Sequence, residues 1–73
     1  MHYVYVLKRK DDREWYIGYT SDLERRMAEH KKEGKCSLIY YECYLSEKLA
    51  RDRERKLKHY GSAWRALKQR ISA

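Results

Sequence analysis

The chain has 73 residues and a formal charge of +7, with 40% of its residues charged. A chain this short buries only about 60% of the surface its unfolded form exposes, which excludes a large core; eight Tyr and two Trp, with no Phe, must supply much of the core there is. No apolar run approaches the roughly 20 residues that span a bilayer, and the first residues do not read as a secretory signal, so a membrane-embedded protein is excluded and a cytoplasmic one is expected.

Val4-Tyr5-Val6-Leu7 reads as a first strand, being β-branched and aromatic. Lys8 to Arg13 is polar, with Asp11-Asp12 as a turn signal, and Glu14 to Tyr19 reads as a second strand. A hairpin turning near Lys10-Asp11 would set Tyr5 opposite Tyr16 on one face; a slip of one residue would part them. Ser21-Asp22-Leu23-Glu24 matches a capping box with Ser21 as the cap, predicting a helix from Asp22 to about Lys32 that ends at Gly34. Leu38 to Tyr44 is a third strand. Ser46 caps a helix from Glu47 to about Tyr60, with Gly61 as its stop and Leu49, Leu57 and Tyr60 as its buried stripe. Ser62 starts a last helix with Trp64, Leu67 and Ile71 on its apolar side. The order β-β-α-β-α-α predicts one α+β domain over 1–73: a three-stranded antiparallel sheet covered by helices.

The charge is uneven. Residues 1–45 hold nine Lys/Arg against eight Asp/Glu, whereas residues 46–73 hold nine against three. Such asymmetry points to a polyanion, with nucleic acid the first candidate. The cysteines, Cys36 and Cys43, are seven residues apart; along a strand that is more than roughly 20 Å, beyond disulfide reach. Cys43 reads as a small buried residue and Cys36 as a loop thiol in a reducing compartment. No paired Cys/His spacing suggests zinc.

On the first helix Arg26 and His30 share a face, at the border of the stripe formed by Leu23 and Met27. On the second, Glu54 stands amid Arg51, Arg53, Arg55, Lys56 and Lys58, where a solvated, charge-paired carboxylate is the plain reading. Trp15, Tyr19 and Trp64 read as packing residues rather than base-stacking ones.

Taken in order, Tyr3-Val4-Tyr5, then Tyr16-Ile17-Gly18, then the run from Thr20 to His30 resemble the GIY-YIG nuclease family, especially its short stand-alone members. The resemblance runs from about Tyr3 to Ile71. Eight residues beyond the motif glycine it selects Arg26, then His30, and on the later helix Glu54. It implies Tyr5, Tyr16, Arg26, His30 and Glu54 as catalytic residues, Glu54 as ligand of Mg²⁺ or Mn²⁺, and Tyr3, Val4, Ile17 and Gly18 as motif scaffold. Gly18 would let backbone pass close to the site. Tyr3 replaces the first-motif glycine, and the segment between His30 and Leu38 is shorter than the basic loop of many relatives.

The implied chemistry is hydrolysis of DNA phosphodiester bonds, in repair or recombination. One carboxylate suffices for Mg²⁺, which keeps waters readily. Arg26 offers a planar fork for phosphate oxygens. A free phenol, with a pKa of about 10, needs a nearby cation or a proton-sharing group before it can serve as base; Tyr5 is the first choice and Tyr16 its partner. Arg25, Arg51, Arg53, Arg55, Lys58, Arg65 and Lys68 are the expected nucleic-acid contacts. The alternative is a non-catalytic nucleic-acid-binding module of the same fold. So small a chain has little surface for reading sequence, and weak specificity, or specificity borrowed from a homodimer or a protein partner, is expected.

Overall fold

A computed structural model describes residues 1–72. Its elements are β1 (His2–Arg9), β2 (Trp15–Thr20), α1 (Leu23–Glu33), β3 (Cys36–Tyr44), α2 (Glu47–His59) and α3 (Gly61–Ile71), and the sheet is antiparallel in the order β2-β1-β3. The expected α+β architecture and element order are those observed. β1 is central and covered on both sides, which explains an apolar run with no polar alternation: Val4, Tyr5, Val6 and Leu7 are all buried.

One face of β1 carries Val4 and Val6 into the main core with Ala50 and Leu57 of α2 and Leu67 of α3. Trp15, Ile17, Tyr19, Tyr40, Tyr44 and Trp64 pack around that cluster; Trp15 and Trp64 are only partly buried and keep some ring surface open to solvent. The other face carries Tyr5 and Leu7 toward α1, which buries no residue fully; Leu23, Met27 and His30 are half-buried there. The sheet therefore has one well-sealed face and one loosely covered face.

The hairpin register differs from the expected one. Tyr5 lies opposite Gly18, and Tyr16 opposite Leu7. The loop is longer than a turn at Lys10-Asp11 allows: Arg9 N–H donates to the Glu14 carbonyl at 2.8 Å, and Arg13 sits at a left-handed φ of 60°. Asp12 helps fix this geometry by accepting from Glu14 N–H at 3.0 Å. The shift conserves strand parity, so Tyr5 and Tyr16 still share a face. β3 carries a bulge: Val6 faces Tyr40 and Leu7 faces Leu38, leaving Ile39 unopposed.

Four smaller expectations are corrected. Asp22, not Ser21, caps α1, its carboxylate accepting from Arg25 N–H at 3.1 Å. Leu49 and Tyr60 are 56% and 57% exposed, because the buried face of α2 is set by Ala50, Arg53 and Leu57. Gly61 is the first residue of α3 rather than the stop of α2; extended Tyr60 closes one helix and its carbonyl opens the next, accepting from Ala63 at 3.0 Å. Cys36 begins β3 rather than lying in a loop, and Cys43 is exposed, on the sheet face that α1 covers only in part; both are free thiols. Gly34, with φ 67°, ends α1 in the expected left-handed turn, and Ser46 caps α2.

Candidate active site

The loosely covered face gathers four of the singled-out residues. β1 presents Tyr5, and α1 lays Arg26 and His30 against it; Tyr16 of β2 lies on the same face, opposite Leu7. Arg26 Nε donates to the Tyr5 hydroxyl at 3.1 Å, and Arg26 Nη1 donates to Glu29 at 3.2 Å. The bond to Tyr5, with a smaller contribution from Glu29, raises the Arg26 pKa, so the group is a permanent cation. The His30 ring lies edge-on to Tyr5 with centroids 6.3 Å apart. Its Nε2 is the buried side-chain polar atom left without a hydrogen-bond partner among the described residues.

Gly18 is required by space. A Cβ built there would lie 2.4 Å from both Cζ and the hydroxyl oxygen of Tyr5, far inside contact distance. Its φ is not in the left-handed region, so the glycine serves Tyr5's ring, not a turn. Gly18→Ala is expected to push Tyr5 off Arg26 and to destabilise the fold by about 1–3 kcal/mol. A denaturant midpoint equal to that of the unchanged chain would contradict this.

Tyr16 is 45% exposed, and Arg9 Nη1 reaches its hydroxyl at 3.4 Å. Tyr5, only 4% exposed, is the recessed member of the pair. Strand alternation marks Arg9 and Tyr16 as facing the same side, but the pairing needs the correct register to be seen.

Glu54 is placed differently. α2 packs on the opposite face of the sheet, and no hydrogen bond or ion pair joins Glu54 to Tyr5, Tyr16, Arg26 or His30. Its carboxylate is 18% exposed and pairs with Lys58 Nζ at 3.1 Å. Glu47, Arg51, Glu54 and Lys58 form one stripe of α2 along the β2 edge. Tyr19 donates to Glu47 at 3.4 Å, Arg51 lies 4.3 Å over the Tyr19 ring, and Lys58 shares a recess with Tyr16. β2 thus stands between the Tyr5–Arg26–His30 group and the Glu54 stripe. Among the described residues no three His, Cys, Asp or Glu converge as a metal cage. Glu54 suits a cation that takes one protein carboxylate and fills its remaining positions with oxygen from water and substrate, as Mg²⁺ does.

Most of the expected nucleic-acid contacts are exposed. Arg25, Arg51, Arg55 and Lys58 hold surface ion pairs with Glu29, Glu47, Asp52 and Glu54. Such pairs are worth about 0–1 kcal/mol, so a phosphate can replace them. Arg65 and Lys68 are also exposed. Arg53 is the correction: its Nε and Nη2 donate to Glu42 at 3.0–3.2 Å, and the pair is largely shielded. Tyr40 donates to the same carboxylate at 2.6 Å, and Tyr44 also donates to it. This four-residue network is invisible in the sequence, because its members come from β3 and α2 and no local pattern links them.

Residues 1–68 match the family model described as the GIY-YIG catalytic domain. The chain is similar to a UPF0213 protein of Haloquadratum walsbyi, 37% identical over 68 residues covering 81% of this chain and 75% of that one. It is likewise similar to a UPF0213 protein of Natronomonas pharaonis, 40% identical over an 81-residue alignment covering 99% and 91%. The solution NMR structure of the UPF0213 protein from Bacillus halodurans superposes with a TM-score of 0.65 at 27% identity, covering 96% of this chain and 85% of that one.

Proposed function

Because this chain belongs to the GIY-YIG family, a nuclease superfamily, and within it is similar to the short UPF0213 proteins, we propose that it is a divalent-metal-dependent endonuclease that hydrolyses DNA phosphodiester bonds. The observation that carries the reading is the Arg26–Tyr5 bond beside a His30 nitrogen with no structural partner. Arg26 would bind the scissile phosphate, giving up Glu29 and presenting its Nη donors to the oxygens on which charge develops. Tyr5 would take the proton of the attacking water as its own phenolic proton passes to His30, with Tyr16, open to solvent, orienting that water. His30, edge-on to Tyr5, is the group available to receive the proton. Glu54 would hold Mg²⁺ or Mn²⁺ once Lys58 moves to the phosphate backbone. When bound, such an ion polarises the phosphate and stabilises the departing alkoxide.

The pairing of Glu54 with Lys58 also favours a second reading, a nucleic-acid-binding module without turnover. Both place DNA on the exposed Lys/Arg of 51–70, and both predict binding that weakens with salt. Two free cysteines suit a reducing cytoplasm, and no helix among the described residues is long and apolar enough to cross a membrane. A role in repair or recombination would follow from the substrate. Incubation with supercoiled and branched DNA in Mg²⁺ or Mn²⁺ separates the readings. Cleavage is expected, with Glu54→Ala reducing it by a factor on the order of 10² or more. Salt-sensitive binding without product supports the module, and cleavage unchanged in Glu54→Ala would end the nuclease assignment.

A further inference from the structure

We propose that the recess between β2 and the α2–α3 corner receives one unstacked nucleobase of a bound DNA strand, beside the candidate cleavage site. The proposal takes its macromolecule from the nuclease reading, but its chemistry rests on other residues. The recess is an open depression of about 410 Å³, lined by Trp15, Tyr16, Ile17, Leu57, Lys58 and Trp64. The two indoles meet edge to face, 5.7 Å apart and inclined by 69°, so they form a corner with differently oriented π surfaces. Aromatic walls of this kind hold any base, because every base has a π face.

Charge selects a nucleotide over an uncharged aromatic ligand. Lys58 lines the recess, and Lys8 and Lys68 hold their ammonium groups over the Trp15 ring, 4.7 and 5.8 Å from its centre. Among the described residues no carboxylate lines the recess. An apolar corner with one lysine in its lining and two more over its Trp15 wall, free to turn to the phosphates as a base takes their place on the ring, matches an apolar base carried between two phosphates. Its position is equally specific, since Lys58 is the residue that pairs with Glu54. A base seated here would lie on the Glu54 side of β2, against Tyr16. Inside a duplex both faces of a base are covered by its neighbours, so only an unpaired or extruded base can enter. The preferred substrate is therefore single-stranded, flapped or mismatched DNA rather than intact duplex.

The test uses the unaltered chain without divalent metal, titrated with two single strands of equal length and charge. One is oligodeoxythymidylate; the other is its abasic counterpart. The base-bearing strand is expected to bind on the order of tenfold or more tightly and to quench tryptophan fluorescence. Trp15→Leu should shrink that ratio while leaving the affinity for the abasic strand as it was. Equal affinities with no quenching in the unaltered chain would overturn the proposal, whether or not the variant folds. Cleavage in Mg²⁺ is read separately: base preference without product would remove the nuclease reading and leave the recess, and product without base preference would do the reverse.

Discussion

Arg26→Lys is expected to lower the rate of DNA cleavage by about 10²–10³-fold although the positive charge is retained. Arg26 works through the directions of its donors. Its Nε is committed to the Tyr5 hydroxyl at 3.1 Å, and its Nη1 to Glu29 at 3.2 Å. A guanidinium can keep the first bond and turn the second group to a phosphate, holding tyrosine and phosphate in one plane. An ammonium gathers its three donors on a single nitrogen at the end of a flexible stem and cannot reproduce the planar fork that holds both groups in fixed directions. α1 buries no residue, and the Arg26 side chain is 47% exposed, so the fold should tolerate lysine, with a Tm close to that of the unchanged chain. The informative combination is therefore a folded variant with slow chemistry. Cleavage at the full rate by Arg26→Lys would show that charge alone is used there and would remove the forked contact from the mechanism.

The same contact shows how far the residues could be read without coordinates. That Arg26 and His30 share a helix face follows from their spacing, and that Tyr5 and Tyr16 share a sheet face follows from strand parity. The register shift did not matter to that second inference, because it moved the strands by a step that preserves parity. What spacing could not supply was the loop: Arg13 in a left-handed conformation lengthens the connection, and a positive φ at arginine has no sequence signal. Glu54 fell outside local reasoning for another cause. Helix phase tells which residues flank a stripe, not on which side of a sheet the helix will pack. On α2 the sequence pattern points to Leu49 as buried, but Ala50 and Arg53 hold that face, because Arg53 looks like a surface residue until Glu42, Tyr40 and Tyr44 supply its partners.

Glu42→Gln is expected to cost about 2–3 kcal/mol of folding stability at neutral pH, a fall in Tm of roughly 10–20 °C for a chain of this size. Removing one partner of a buried ion pair costs about 3–5 kcal/mol, and the lower figure allows for the part that solvent reaches, 13% of the Glu42 side chain and 29% of Arg53. Burial alone would push the Glu42 carboxyl up. The bonds from Arg53, Tyr40 and Tyr44 outweigh it, and the group titrates below the usual carboxylate range. Burial and the bond to Glu42 in turn push the Tyr44 phenol up to about 12, so it remains a donor at any physiological pH. A carboxylate held below its unfolded pKa of about 4.3 adds stability that is fully present above that value and is lost as pH falls through the folded pKa. The gap between the unchanged chain and Glu42→Gln should therefore be constant from pH 7 down toward the unfolded value of about 4.3 and close as the pH falls through the lower, folded value. A gap that persists in acid would mean that glutamine fails by shape rather than by charge. Replacing both partners, Glu42→Leu with Arg53→Met, removes the stranded guanidinium but leaves the Tyr40 and Tyr44 hydroxyls without their acceptor. The double variant should thus recover part of the loss and not all of it, and full recovery would mean that the two phenols contribute nothing to holding α2 against β3.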